Sequence, residues 1–581
     1  MSHSSERVFI IGLDGAPPGH VRRWTAAGEL PVLAQILERG CVGRLQSSIP
    51  WDTPSAWASL MTGMNPGNHG VYDFWSVGAG GEITINTRRS VRAEPFWRYL
   101  SERNRTVGVF GVPLTYPAEP VNGFLVAGTP CVPDKKWFTF PDFLYEHLRK
   151  KGWDLGMTVF SGVPSSPQDM FEFLIGLVRM RVEACTYLMG EFPWEFLFLH
   201  FLETDVAGHR FLHYMSEYEK APSAHRELLL NFYKRVDAEL EPLVSMLDEN
   251  TTLIVMSDHG MGPRSRVISL NGWLVQKGYM QLRDSFGTNL KAARLGVPHL
   301  LSAMHSRPVV PILKIMQRAS VKSLIYHMMR AGARSLGGGK PWTLPGWITN
   351  PALGLSLSAE HVDWNCTKAF SLGSGPVGTI YLNLRGRQPQ GVVDPGHESD
   401  LLCRQLAEDL LTLTDPTSGG LIVARVARGE ELYWGPYASE APDLVVFFRD
   451  QEYEALRFGQ FLPGTQVIAS PRLRDFASHR PMGLFAIKGP NTRKSMEVSD
   501  ISIMDIAPTV LFLLGEPIPD DMDGTVLEQC FEESYIRHTR PQEQTVAQTT
   551  PSKTQPSGLE PHDQEENRAM SNLLRALGYL D

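Results

Sequence analysis

The chain has 581 residues, of which 43% are hydrophobic and 20% charged. This is enough to bury a large core, and it excludes a disordered protein. A formal net charge of −8 argues against a surface built to bind nucleic-acid duplexes. Six scattered cysteines without a CxxC pair favour free thiols in a reducing compartment over a disulfide framework or a thiolate metal site.

The N-terminal sequence lacks the features of a secretory signal. After a polar start, the apolar run covers only residues 8–11 and ends at Gly12-Leu13-Asp14. A signal needs an apolar stretch of roughly 7–15 residues and a small-residue cleavage site. No run in the sequence approaches the roughly 18 apolar residues of a membrane span. We therefore expect a cytoplasmic protein.

Short apolar runs that stop at polar or glycine residues predict buried strands. The clearest runs are residues 8–13, 106–110, 196–201 and 252–256, and the intervening residues 228–247 have helical spacing. Alternation of strands and helices predicts an α/β fold with a parallel sheet and helices on both faces. Ligands of such sheets bind beyond the carboxyl ends of the strands, so we expect the functional site there.

Two segments depart from this pattern. Residues 285–359 contain no Asp or Glu but nine Lys and Arg residues, which predicts a basic helical insertion over residues 284–350. Residues 536–567 are rich in Gln, Thr, Pro and Ser and lack aromatic residues, which predicts a disordered linker before a C-terminal helix at 568–581. The charge of the insertion has two interpretations. A solvated helical cap is favoured, and contact of residues 285–340 with an anionic membrane is the alternative.

Acidic and histidine residues follow several of the predicted strands. Asp and His four residues apart on a helical turn can face the same way. Three carboxylates and three imidazoles provide three protein ligands for each of two divalent ions, with zinc expected and manganese as the alternative. Any one of these residues alone is more often structural, but their recurrence at strand ends favours a two-metal site. The six residues are Asp14, Asp205, His209, Asp258, His259 and His479.

Thr53 is the candidate nucleophile. It lies where a turn enters a predicted helix, directly before Pro54, and proline is favoured at the first helical position. The N-terminus of that helix would offer amide donors to a phosphoryl group. A hydroxyl needs a base or a metal to remove its proton, and the two-metal site would supply this activation. The alternative is a threonine that only caps the helix, and the local sequence alone favours it.

The segments that carry these residues resemble the type I phosphodiesterase/nucleotide pyrophosphatase branch of the alkaline phosphatase superfamily. The resemblance runs in consistent order from about residue 8 to residue 527. Its most specific segments are residues 12–15, 53–70, 203–209, 257–260 and 478–480.

This resemblance implies an alkaline-phosphatase-like three-layer sandwich with a central, mostly parallel sheet. It implies one elaborated catalytic domain formed by residues 7–283 and 351–530. It also implies that Asp14, Asp258 and His259 bind one zinc ion, that Asp205, His209 and His479 bind the other, and that Thr53 is both the nucleophile and a ligand of the first ion.

One departure from the family bears on the substrate. Nucleotide pyrophosphatases of this family have an asparagine three residues after the nucleophile, which helps to hold a phosphoryl oxygen. This chain has Ala56 there, followed by Trp57. Loss of such a donor can cost several kcal/mol. We expect Ala56, Trp57 and Arg480 to lie at the substrate, and nucleotide specificity is left open.

The combined prediction is a two-metal phosphodiesterase that acts on a phosphate-ester small molecule or a lipid. A phosphomonoesterase or phosphotransferase on the same site is the alternative. It calls for a cationic clamp, for which Arg264, Arg266 and Arg480 are candidates. An inactive metal-binding or membrane-associated binding protein is the alternative of another class, and the intact ligand set disfavours it. His69 is interpreted as structural. The sequence gives no indication of the oligomeric state.

Overall fold

The computed structural model describes most of the chain outside the basic segment. The described residues are 6–77, 83–132, 137–153, 164, 166–215, 225–284, 359–373, 375–458, 460–462, 466–470, 477–539, 566, 570 and 571. The predicted insertion at 284–350, apart from Asp284, therefore lies outside the described residues, together with the membrane contact predicted for 285–340. Most of the predicted linker at 536–567 and C-terminal helix at 568–581 also lies outside them.

Twenty strands occur in the described residues, and the predicted apolar runs are among them. The runs predicted at 8–13, 106–110, 196–201 and 252–256 correspond to strands β1, β5, β8 and β9. The strands are β1 (Arg7–Leu13), β2 (Cys41–Gln46), β3 (Trp75–Val77), β4 (Ile83–Ile85), β5 (Val107–Phe110), β6 (Gly123–Val126), β7 (Thr139–Phe140), β8 (Phe196–Phe201), β9 (Thr251–Met256), β10 (Gly260–Pro263), β11 (Arg266–Ile268), β12 (Ala369–Phe370), β13 (Val377–Leu382), β14 (Val423–Arg428), β15 (Leu444–Phe448), β16 (Tyr453–Ala455), β17 (Ile468–Ala469), β18 (Ala477–Arg480), β19 (Met482–Lys488) and β20 (Met496–Ser502).

The central sheet has nine strands in the order β20-β2-β19-β9-β1-β8-β5-β6-β7. Its middle, β9-β1-β8-β5-β6, is parallel throughout, and β19 and β7 pair antiparallel with their neighbours. Every residue of β8 and β9 is buried, as continuous apolar strands covered on two faces require. The prediction of an α/β fold with a mostly parallel central sheet is confirmed.

The helices pack against this sheet in two separate groups, the layered arrangement that the sequence predicts. One group contains α1, α2, α7, α8 and α9, and the other contains α3, α5 and α13. The helices are α1 (Pro18–Ala26), α2 (Pro31–Arg39), α3 (Thr53–Thr62), α4 (Pro66–His69), α5 (Phe96–Glu102), α6 (Phe143–Lys150), α7 (Pro167–Glu191), α8 (Glu203–Phe211), α9 (Leu228–Ser245), α10 (Leu270–Lys277), α11 (His397–Leu411), α12 (Gly429–Leu432), α13 (Ile506–Leu513) and α14 (Glu533–Thr539).

A second, smaller sheet has the strand order β12-β13-β15-β14, and α11 packs against β14. Its buried residues form a core separate from the one around the central sheet. The main core also contains Met570, from the segment in which the C-terminal helix is predicted. Helix α14 extends into the first residues of the predicted linker.

Within the described ranges, none of the helices combines the length and the apolar character that a membrane crossing needs. All six cysteines are free thiols. Five of them are buried and Cys366 is exposed.

Candidate active site

The ends of three neighbouring strands bring the predicted acidic residues together. In the parallel register, Gly12 of β1 lies opposite His200 of β8 and Met256 of β9, so the three strands end at the same level. Asp14 follows β1, Asp258 follows β9, and Asp205 lies in the first turn of α8, which begins two residues after β8. All three carboxylates are completely buried.

Gly15 allows these carboxylates to approach one another. Its φ is +62°, a left-handed conformation, and a Cβ at this position would lie 2.6 Å from Oδ1 of Asp205. Its N–H donates to Oδ1 of Asp258 at 3.2 Å. A side chain here would meet both a strained backbone and an occupied space, so the turn after β1 requires glycine.

Helix α8 and a two-stranded ribbon supply three of the site's histidine and carboxylate groups. Asp205 and His209 lie one turn apart in α8, with 3.6 Å between Oδ2 and Nε2. The ribbon pairs β10 with β18 and places His479 opposite Met261, two residues after His259. As a result, Nε2 of His479 lies 3.0 Å from Nε2 of His209 and 3.4 Å from Oδ1 of Asp205.

His259 lies between the two halves of the cluster. Its Nε2 is 3.6 Å from Oδ1 of Asp14 and 3.3 Å from Oδ2 of Asp258. Its ring stacks on that of His479, with the ring centroids 3.7 Å apart. The structure thus brings all six residues that the sequence singles out as ligands into one cluster, in which five are buried and His209 is partly exposed. Its compact groups are Asp14 with Asp258 and His259, and Asp205 with His259 and His479, so His259 belongs to both and His209 lies at the edge of the second.

Thr53 lies at this cluster, but at a different helical position from the one expected. It is the first residue of α3, and Asp52 is the N-cap, its Oδ1 accepting the Thr53 N–H at 3.1 Å. Because Asp52 caps the helix, the Thr53 hydroxyl is left for another contact. Its Oγ1 lies 3.3 Å from Nε2 of His259, and the side chain is buried.

Two buried residues that contact Asp14 have a clear structural role. Trp57 Nε1 donates to Oδ2 of Asp14 at 3.0 Å, and Nε2 of His200 lies 2.9 Å from the same oxygen. Trp57, expected at the substrate, is therefore buried beneath a candidate ligand, and Ala56 is buried beside it in the main core. His200 is not among the residues predicted from sequence. Its signal is a polar ring in the otherwise apolar strand β8.

Burial and mutual repulsion shift the pKa values of the cluster. Burial, followed by the neighbouring Asp14 carboxylate, raises the pKa of Asp258 well above its ordinary value. Burial and the nearby His479 lower the pKa of His259 to about 4. Burial opposes the charged form of His479, but Asp205 and Asp52 outweigh it and raise the pKa of this ring well above 6.5.

The donor set fits divalent cations. Among the described residues, Oδ1 of Asp14 and Oδ2 of Asp258 are buried without a hydrogen-bond partner, and both face Nε2 of His259. The Nδ1 of His259 lies 3.1 Å from the Gly260 carbonyl, which leaves its Nε2 lone pair to the cluster. His209 is oriented in the same way by the Ala477 carbonyl. Buried carboxylate oxygens and imidazole nitrogens with this exposure of lone pairs are suitable zinc ligands.

The candidate cationic clamps are engaged by other groups. Arg264 pairs with Glu454, and Arg266 pairs with Asp415 at 3.1 Å. The Arg480 guanidinium donates to backbone carbonyls of its own strand and of β10.

His69 lies away from this cluster. It is completely buried between α3 and α4, and its Nε2 is 3.0 Å from Ser59 Oγ. This placement agrees with the structural interpretation of His69.

Comparison with known proteins identifies the family. The family model described as type I phosphodiesterase / nucleotide pyrophosphatase matches residues 8–318, more than half of the chain. Similar solved structures include human ectonucleotide pyrophosphatase / phosphodiesterase 5, with 14% identity, a TM-score of 0.45 and coverage of 90% of this chain and 97% of that chain. Phosphonoacetate hydrolase from Sinorhizobium meliloti 1021, in complex with phosphonoformate, has 14% identity, a TM-score of 0.48 and coverage of 88% and 95%.

A further similar structure is that of an inactive point variant of murine ectonucleotide pyrophosphatase / phosphodiesterase 5 in complex with AMP, with 14% identity, a TM-score of 0.45 and coverage of 88% and 96%. No curated protein matches the chain significantly. On the strength of the family match, the chain belongs to the type I phosphodiesterase / nucleotide pyrophosphatase family.

Proposed function

We propose that the protein is a two-metal phosphodiesterase that cleaves its substrate through a phosphothreonine formed on Thr53. The observation that carries this proposal is the position of the Thr53 hydroxyl. It lies at the N-terminus of a helix and 3.3 Å from Nε2 of His259, next to a cluster of three carboxylates and three imidazoles of which all but His209 are buried. Family membership supports phosphoester hydrolysis as the reaction class.

Two groups of residues would hold the metal ions. Asp14, Asp258, His259 and the Thr53 hydroxyl would form one site, and Asp205, His209 and His479 the other. Bound there, divalent ions would neutralise charge on the phosphoryl oxygens and lower the pKa of a hydroxyl or a water in contact with them. Zinc is the proposed ion, because imidazole and carboxylate are its ordinary ligands, and manganese is the alternative.

The side chains of the protein would perform the reaction in two displacements. Oγ1 of Thr53 releases its proton to water and forms a bond to phosphorus, while the bond from phosphorus to the leaving alcohol or phosphate breaks on the opposite side and the leaving oxygen takes up a proton from water. A water then attacks the phosphothreonine, and the phosphorus–Oγ1 bond breaks to regenerate the hydroxyl. Throughout both steps, the positive end of the α3 dipole at Thr53 favours the negative phosphoryl group.

A diester substrate is favoured over a monoester. A monoester carries one more negative charge, for which a cationic clamp is expected. The three candidate arginines are instead engaged by carboxylates or backbone carbonyls. Phosphomonoester hydrolysis and phosphotransfer are the alternatives on the same site. We also propose a cytoplasmic location, on the grounds given by the sequence.

The test compares hydrolysis of bis-p-nitrophenyl phosphate and p-nitrophenyl phosphate by the purified protein. We expect faster cleavage of the diester, loss of activity on chelation and its recovery on adding zinc. Thr53→Ala should lower kcat by about 10³-fold or more, because the nucleophile is lost. Peptide mass spectrometry after an acid quench should find phosphate on Thr53.

Thr62→Ala is the matched control for the nucleophile. Thr62 is the last residue of the same helix, is equally buried, and uses its hydroxyl to donate to the Ala58 carbonyl. This variant should keep its metal-dependent activity. Full activity of Thr53→Ala would refute the assignment of the nucleophile, and preference for the monoester would move the protein among the phosphomonoesterases.

A further inference from the structure

Asp52 contacts two parts of the site that are remote in sequence. It is nearly completely buried, with 5% of its surface exposed. Its Oδ1 accepts the N–H of Thr53 at 3.1 Å and also lies 3.2 Å from Nδ1 of His479. A single carboxylate therefore joins the start of α3 to the histidine on β18.

The groups around His479 determine how its contact with Asp52 affects the two ring nitrogens. Nε2 of the ring faces Asp205 and His209, the other two proposed ligands of the second metal site. A neutral imidazole has one N–H, and a metal ligand needs its lone pair on the nitrogen that faces the metal. When the ring is neutral with its proton on Nδ1, 3.2 Å from Oδ1 of Asp52, the lone pair of Nε2 faces the other two ligands.

Capping of α3 does not by itself explain the carboxylate. Asn and Ser cap helices about as well as Asp does, and neither brings a negative charge. Asp52 also brings a negative charge to 3.2 Å from Nδ1 of His479. A carboxylate beside the outer nitrogen of a metal-binding histidine fixes the ring and makes it a stronger ligand. Stacking of the His259 ring on His479 holds the plane of the ring from another side.

We propose that Asp52 is a positioning residue, which holds His479 with its Nε2 lone pair directed into the second metal site. This inference rests on the proposed function, and it adds Asp52 to the residues of the site that were predicted from sequence. It links the second metal site to the N-terminus of the nucleophile helix through one side chain.

The experiment measures zinc binding to metal-free protein in competition with a chromophoric chelator. Asp52→Asn and Asp52→Ser both retain a helix cap and remove the carboxylate. We expect each to weaken one of the two zinc sites by about 10–100-fold and to leave the other unchanged. The melting temperature of the metal-free variants should stay close to that of the wild type. Ser166→Ala, which removes the N-cap of α7, should leave both zinc affinities unchanged.

A double-mutant cycle identifies the site that is weakened. In a His479→Ala background, Asp52→Ser should cause no further loss of zinc affinity, because the ring that Asp52 positions is absent. Unchanged zinc affinity in both Asp52 variants, while the wild type binds two ions, would overturn the positioning role and leave the proposed function intact. A wild-type protein that fails to bind two zinc ions would overturn both.

Discussion

At the scale of single residues, the two oxygens of Asp14 have different environments. Oδ2 accepts from the indole of Trp57 and lies against His200, whereas Oδ1 has no hydrogen-bond partner among the described residues and faces His259. Hydrogen bonds to one oxygen thus orient the other toward the proposed metal. Removal of a hydrogen bond that orients a metal ligand commonly lowers the affinity for the metal.

Trp57→Phe tests this arrangement. The change removes the indole N–H but keeps a buried aromatic ring, so we expect a loss of about 10–100-fold in zinc affinity with the fold retained. Isothermal titration of metal-free protein with zinc is the measurement. Trp97→Phe is the control, since Trp97 is also buried against Phe198 and contacts no candidate ligand. Equal zinc affinities in the two variants would contradict a role for the indole in positioning Asp14.

The residues found from sequence and those missed differ in one respect. Asp14, Asp258 and His259 can be found from the sequence because they follow apolar strands, and strands in a parallel sheet end at a common edge. Asp52 contacts His479, and His200 contacts Asp14, which is 186 positions away in the chain. Periodicity reports which face of an element is buried. It does not report which side chain of another element lies opposite, and so these partners appear only in three dimensions.

At the scale of secondary-structure elements, His69 joins α3, the helix that begins at Thr53, to α4. The Val71 N–H donates to its Nδ1 at 3.2 Å, so the proton of the neutral ring lies on Nε2 and is directed at Ser59 of α3. Burial lowers the pKa of His69 from 6.5 to about 3, in agreement with a neutral ring. The contact between the two helices therefore depends on His69 staying unprotonated.

This shift predicts a pH dependence of stability. Between pH 6.5 and about 3, the unfolded chain binds a proton at His69 that the folded protein does not bind. The stabilisation is thus complete above pH 6.5 and falls as the pH is lowered, by up to about 1.4 kcal/mol per pH unit. His69→Asn, whose Oδ1 can still accept from Val71, should show a shallower loss of melting temperature between pH 7 and pH 4.

The exposed residue His147 of α6 provides the control, and His147→Asn should keep the wild-type slope. Thermal unfolding followed by circular dichroism across the pH series is sufficient to compare the three proteins. Identical slopes for wild type and His69→Asn would contradict the neutral, buried state of His69.

At the scale of the whole molecule, the central sheet was predictable and the smaller sheet was not. Strands β1, β8 and β9 are continuous apolar runs that end abruptly, because both of their faces are covered. Strand β14 instead alternates Val and Ala with Arg over partly exposed positions. Such a strand is hard to distinguish from a loop in sequence, because its stability comes from pairing with β15 and packing on α11.

A cluster of buried carboxylates lowers the stability of the folded molecule as a whole. Asp14, Asp205 and Asp258 are buried close together, and burial with the nearby Asp14 raises the pKa of Asp258. Without cations, these like charges oppose folding. Ions that bind only the folded state stabilise it, by about 2.7 kcal/mol when their concentration is 100 times Kd. Metal binding therefore requires the Asp258 carboxylate, whereas the stability of the metal-free protein would be higher without its charge.

Asp258→Asn separates the two demands. An amide can keep the bond from the Gly15 N–H to Oδ1, and it removes the carboxylate that repels Asp14. The metal-free variant should therefore melt at the same temperature as the metal-free wild type or above it, while zinc should raise its melting temperature less. Asp505→Asn is the control, because both oxygens of Asp505 accept backbone N–H groups, from Ser502 and Thr525. That variant should lose stability with or without zinc. If metal-free Asp258→Asn instead melted as far below the wild type as Asp505→Asn does, Asp258 would be a structural carboxylate and its place in the metal site would have to be abandoned.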